Sequence, residues 1–189
     1  NTIVAGVDER DRVKYDGEHM YLLNWDRVQA FRMSADAAAV AVDTVIVDAF
    51  DAYGGAGLYL LPGESPLLAA VGGGNAFVWF DLIAEPWFWN TNTSVEVFDI
   101  SDPGDIRVDS SFTVSGTLTD SRRIGDQMLL ITRYTPAIDG LLPYTSDADE
   151  QAANKTLIDA LDIDDLLPEI TYRSGETENL VTVANCFLP

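Results

Sequence analysis

A chain of 189 residues suffices for one sizeable domain, and a hydrophobic fraction of 47% with 10% aromatics excludes a disordered chain and predicts a packed core. The 31 acidic and 11 basic side chains give a formal charge of -20, which repels phosphate backbones and anionic headgroups and so excludes nucleic acid and membrane surfaces as expected partners. Such acidity reads as a solvated surface suited to solubility outside the cell.

The first residue is Asn1, and no basic segment followed by an apolar one opens the chain, as expected where an export signal has been removed or lies upstream. The most apolar stretch, 69–89, is interrupted by Gly72, Gly73, Gly74, Asp81 and Glu85 and does not read as a membrane span. Cys186 is the single cysteine, so no internal disulfide forms. Its neighbours Asn185 and Phe187 carry no charge that would activate a thiol, and it reads as structural.

Short apolar runs separated by Gly, Pro, Asp and Asn predict strands at 19–23, 27–33, 44–49, 58–61, 67–71, 76–80, 95–100 and 128–132. From 111 to 119 the alternation is unbroken, with Phe112, Val114, Gly116 and Leu118 on one face and Ser111, Thr113, Ser115, Thr117 and Thr119 on the other. It reads as one strand with a wet side. From 146 to 161 the pattern changes. Ser146 with Asp149, or Asp147 with Glu150, offers a capping box, and Ala152, Ala153, Leu157, Ala160 and Leu161 follow at helical spacing until Pro168 ends it.

A repeat underlies the strands. Asp16-Gly17-Glu18, Pro62-Gly63-Glu64 and Ile124-Gly125-Asp126 are turns that each lead into an apolar strand. The first two glycines stand 46 positions apart and the next two 62, against a blade period of about 40 to 50 in propeller repeats. An insertion near 73–92, carrying Trp79, Trp87, Phe88 and Trp89, accounts for the surplus.

Residues 4–17, from Val4-Ala5-Gly6-Val7-Asp8-Glu9 to Tyr15-Asp16-Gly17, resemble the opening into the first blade in a family of secreted bacterial and archaeal proteins with a C-terminal β-propeller domain. A second stretch, from Val95, Phe98 and Asp99-Ile100-Ser101-Asp102-Pro103 to Asp120-Ser121-Arg122-Arg123-Ile124-Gly125-Asp126, is similar to that family's strand, turn, strand and start of the next blade. Arg10 and Arg12 depart from the family pattern, which has small or apolar residues there. The resemblance implies export, to a secreted, periplasmic or cell-surface location, and a propeller of which this chain holds the first two to three blades. It carries over no catalytic residues.

Searches for chemistry by residue type narrow the field. His19 is the only histidine and lies in an apolar strand beside Met20 and Tyr21, so it reads as structural and no Ser-His-Asp triad is expected. One His and one Cys do not make a zinc site. Gly72-Gly73-Gly74 lacks the lysine and helix of a phosphate cradle. Asp99, Asp102, Asp105 and Asp109 cluster at a Pro-Gly turn and are the candidate metal ligands, with calcium the ion such oxygen-rich loops take; turn capping is the competing reading. A second cluster, Asp159, Asp162, Asp164 and Asp165, lacks the EF-hand pattern because Leu167 and Arg173 stand at its sixth and twelfth positions. Trp79, Trp87, Phe88 and Trp89 are the candidate contacts for a protein or carbohydrate partner, and internal packing of the insertion is their competing reading.

These readings predict a single all-β domain over 1–189, a partial β-propeller of antiparallel blade-like sheets with an aromatic insertion at 73–92 and a helical one at 146–168. The expected role is a non-catalytic, exported binding or scaffold module without a cofactor. A carboxylate-dependent hydrolase or lyase completed by further blades is one alternative, and a calcium-stabilised structural domain the other. Two or three blades leave apolar terminal faces, so self-association, most simply as a two-fold dimer, or the folding of an insertion over an open face is also expected.

Overall fold

Strand β1 (Val7–Glu9) begins the fold, followed by β2 (Val13–Tyr15), β3 (His19–Asn24), β4 (Arg27–Met33) and β5 (Ala39–Ile46). These last four pair in sequence as an antiparallel meander, the first sheet. The second sheet starts in the same way with β6 (Gly57–Leu61), β7 (Leu67–Gly73), β8 (Thr93–Asp99) and β9 (Arg107–Val114). The third holds β10 (Thr117–Ile124) and β11 (Gln127–Arg133), with β1 on the other edge of β10. After α1 (Ala148–Asp159) the chain returns as β12 (Glu169–Tyr172) and β13 (Thr177–Asn179), which extend the second sheet beyond β9. The computed structural model describes residues 7–36, 38–48, 56–61, 63–73, 92–136, 138–142 and 144–185.

The three sequence repeats occupy equivalent places. Each turn glycine joins the first and second consecutive strands of its sheet: Gly17 between β2 and β3, Gly63 between β6 and β7, Gly125 between β10 and β11. Gly17 and Gly125 have φ of 112° and 63°, a left-handed backbone that costs glycine little.

The sheets stack by burying alternate faces. On one side of the second sheet Leu58, Leu68, Ala70 and Phe98 pack with Tyr21, Leu23, Val28 and Ala30 of the first. On its other side Tyr59, Ala69, Val71 and Val95 pack with Leu118, Met128 and Leu130 of the third. Full burial of a side chain such as Leu68 or Phe98 contributes roughly 1.5–3 kcal/mol. This is the all-β, blade-like arrangement the periodicity predicts, and among the described residues the sheets do not close into a ring.

Several local expectations are corrected. The strand expected at 44–49 is β5, which begins at Ala39 because residues 39–46 pair along the whole of β4. The single strand expected at 111–119 is two strands in different sheets. β9 ends at Val114 and pairs with β8 and β12, whereas β10 begins at Thr117 and pairs with β1 and β11. Gly116, at φ 104°, makes the break, and the alternation runs through it because both strands share the period of two. The β12–β13 hairpin has no counterpart among the expected strands.

Asp147 caps the helix, its carboxylate accepting the N–H groups of Asp149 and Glu150. Glu150 takes the hydroxyl of Thr145 instead of closing the box. No residue of α1 is buried. The expected strand at 76–80, the aromatic residues Trp79, Trp87, Phe88 and Trp89, and Cys186 lie outside the described residues. Residues 74–92 join the paired ends Gly73 and Thr93, where an insertion was expected. Among the described residues no helix is long and apolar enough to cross a membrane.

A Cβ at Gly116 would stand 2.8 Å from the carbonyl oxygen of Arg133 in addition to straining a left-handed backbone. Gly116→Ala is therefore expected to lower stability by about 1–3 kcal/mol in urea unfolding. At Gly63 the nearest atom lies 3.6 Å away, and Gly63→Ala should change the same midpoint little.

Candidate functional site

Residues 7–15 touch all three sheets. β1 lies on β10, Asp11 forms an isolated bridge with Leu58 of β6, and β2 opens the first sheet. The alternation of β2 turns Val13 and Tyr15 outward and Lys14 inward. The Lys14 ammonium, on a side chain 9% exposed, lies 2.7 Å from Asp8 Oδ1 and 3.5 Å from Asp11 Oδ2, and donates to the carbonyl of Glu9 at 2.7 Å. Its Nζ also stands 5.5 Å from the centre of the Tyr59 ring, a cation–π contact.

The third sheet closes this junction. Tyr59 donates its hydroxyl to the Ser121 carbonyl at 2.6 Å, with Ser121 Oγ at 2.9 Å, and burial pushes the phenol's pKa up. Arg123 Nε stands 3.6 Å from the second oxygen of Asp8, so that carboxylate sits between two cations. Gly57 leaves room for Arg10, since a Cβ there would come within 2.2 Å of Arg10 Cγ.

A cleft of about 310 Å³ opens beside Arg123. Leu60, Leu61, Pro66, Leu67 and Ile100 form its apolar walls, and Tyr15, Asp16 and Arg123 its polar rim. Asp16 belongs to the repeat turn, where Oδ1 accepts the N–H groups of Glu18 and His19 at 2.9 and 2.7 Å and Oδ2 accepts the Tyr21 hydroxyl at 3.0 Å. Burial alone would raise the Asp16 pKa, but these hydrogen bonds outweigh it and hold the carboxyl below its ordinary value. The buried Tyr21 phenol is pushed up, by its burial and then by the charge of Asp16. His19 sits beside them with Nδ1 3.8 Å from Asp16 Oδ2.

A second concavity, about 350 Å³, lies between α1 and Leu141, Leu142, Tyr144 and Thr145. Asn154 clamps that segment by donating to the Leu142 carbonyl at 2.7 Å and accepting its N–H at 2.9 Å.

The candidate metal ligands are not brought together as a ligand set, because each carboxylate serves its own turn. Asp99 accepts the N–H of Ser101, which lowers its pKa, and Asp102 accepts that of Gly104. Asp105 pairs with Arg107, and Asp109 accepts the hydroxyl of Ser110. In the second cluster Asp159 pairs with Lys155, and Asp162 caps a 3-10 turn at Ile163–Leu166. Among the described residues no three His, Cys, Asp or Glu side chains are grouped to hold a metal ion.

Sequence reasoning missed the junction of Asp8, Lys14, Tyr59 and Arg123. Its one signal was a lysine between Val13 and Tyr15, where the alternation of β2 places it inward.

Two experiments follow. Lys14→Met leaves Asp8 without its nearest cation and is expected to destabilise the fold by about 3 kcal/mol, part of which Asp8→Asn restores in the double variant, as read by denaturant unfolding. Because the folded pKa of Asp16 is lowered, its contribution to stability is complete above about pH 4 and is lost as pH falls through the folded value. The unfolding midpoints of the parent and Asp16→Asn should therefore differ at neutral pH and converge in acid.

The family described as Beta propeller domain matches residues 1–189. No similar curated protein and no similar solved structure was found. With its antiparallel meanders stacked face to face, each opening on the same repeat turn, and a family match along its whole length, the chain belongs to the β-propeller domain family.

Proposed function

We propose that this chain is a non-catalytic binding and scaffold module of β-propeller type that works outside the cell and associates with a second copy of itself. The observation that carries the reading is the outward face of the first sheet. Val13, Tyr15 and Ile46 are 46%, 57% and 58% exposed there, and Met20, Leu22 and Phe31 lie on the same face by register. Arg27 and Gln29 share it, and no Asp or Glu appears in that register. The third sheet likewise exposes Ile124, Leu129 and Ile131.

Contiguous apolar faces of this kind are unusual on soluble monomers and favour association. The charge of -20 opposes close approach, but at physiological salt screening confines that repulsion to about 8 Å. A two-fold dimer through the first sheet lets one face cover itself. The high acidity and the resemblance of residues 4–17 to secreted proteins support work outside the cell.

Light scattering across a range of concentrations tests this. The expected result is a reversible dimer, weakened at least about tenfold by Val13→Lys with Ile46→Lys while the melting temperature holds. A strictly monomeric parent chain, or a double variant that dimerises as before, refutes the association.

A further inference from the structure

We propose that the cleft between Arg123 and the ends of β6 to β8 binds a small apolar monocarboxylic acid, with the Arg123 guanidinium holding the carboxylate. The inference gives the binding reading a ligand class and rests on it.

The walls set the body of the ligand. Leu60, Leu61, Pro66, Leu67 and Ile100 offer no hydrogen-bonding side chain, and about 310 Å³ is at the small end of ligand pockets. The rim sets its head. Of the two ionic groups there, Asp16 is already engaged, with two N–H groups on one oxygen and the Tyr21 hydroxyl on the other. Arg123 is not saturated. Its Nη1 donates to the Gly125 carbonyl at 2.6 Å, and its Nε faces Asp8 at 3.6 Å without a hydrogen bond. Donor capacity therefore remains on the guanidinium, whose planar fork suits a carboxylate.

Charge selects between head groups. Asp8 and Asp16 stand near the rim of a chain with net charge -20, so a dianion such as a phosphate monoester is repelled more than a carboxylate. An ammonium would meet the like charge of Arg123 and an Asp16 carboxylate whose two oxygens already accept the Glu18 and His19 N–H groups and the Tyr21 hydroxyl. Lys14 shares Asp8 with Arg123, which leaves the guanidinium incompletely neutralised.

Calorimetric titration with hexanoate, hexan-1-ol and hexylammonium tests the proposal on the whole chain. Hexanoate is expected to bind with a dissociation constant of about 1 mM and the other two at least about tenfold more weakly. Arg123→Gln should weaken hexanoate by about tenfold. Leu67→Trp, which fills the cleft and leaves Arg123 in place, should do the same if Arg123→Gln fails to fold. No saturable heat with hexanoate to about 20 mM, hexan-1-ol binding as well as hexanoate, or folded variants that bind like the parent would each overturn the assignment. The titration and the light-scattering experiment probe different residues, so failure of one leaves the other standing.

Discussion

A sheet that is apolar on both faces cannot lie at the surface of a protein in water, and β7 and β8 place the second sheet under that constraint. Nearly every residue of both strands is buried. Leu68, Ala70 and Phe98 on one side and Ala69, Val71 and Val95 on the other each require a covering layer. The first and third sheets supply those layers, and each needs only one apolar face to do so. The outer faces that remain are a consequence of the same stacking, since a layer that covers its neighbour is itself covered only when another follows.

Hydrophobic stacking sets the order of the layers but does not fix how they sit along one another, because apolar contact has little directionality. The junction around Lys14 supplies direction. A buried ammonium is costly unless its donors are matched, and here Asp8, the Glu9 carbonyl and the Tyr59 ring meet it only when β1 lies on β10 and β2 lies on β3. Buried ion pairs of this kind add little net stability compared with apolar replacements, whereas losing one partner leaves an uncompensated buried charge. The Tyr59 hydroxyl on Ser121 reinforces the same alignment between the second and third sheets.

The acidic residues divide by what their oxygens are doing. Asp99, Asp102 and Asp109 accept neighbouring N–H or O–H groups, and Asp16 does so while partly buried. Carboxylates engaged in this way tie down the backbone and side chains beside them. The positive groups are scarcer, which makes the placement of Arg123 beside an apolar cleft the more informative feature of the surface. Charged and apolar side chains come together where sheets meet, at strand ends that different parts of the chain bring into contact.

The sequence by itself determined the elements and their repetition. Gly17, Gly63 and Gly125 mark the connection between the first two consecutive strands of each sheet, and strands such as 27–33 and 58–61 follow from runs of apolar residues bounded by turn formers, all local properties. Asp147 likewise announced the helix through a backbone cap a few residues long. Only the tertiary structure decided which strands share a sheet. The alternation from 111 to 119 is continuous in sequence, yet pairing partners far along the chain divide it at Gly116, and no period of two carries the identity of the neighbour. Asp8, Lys14, Tyr59 and Arg123 converged for the same reason: they come from four strands of three sheets, and their proximity is created by long-range pairing between segments that have no local influence on one another.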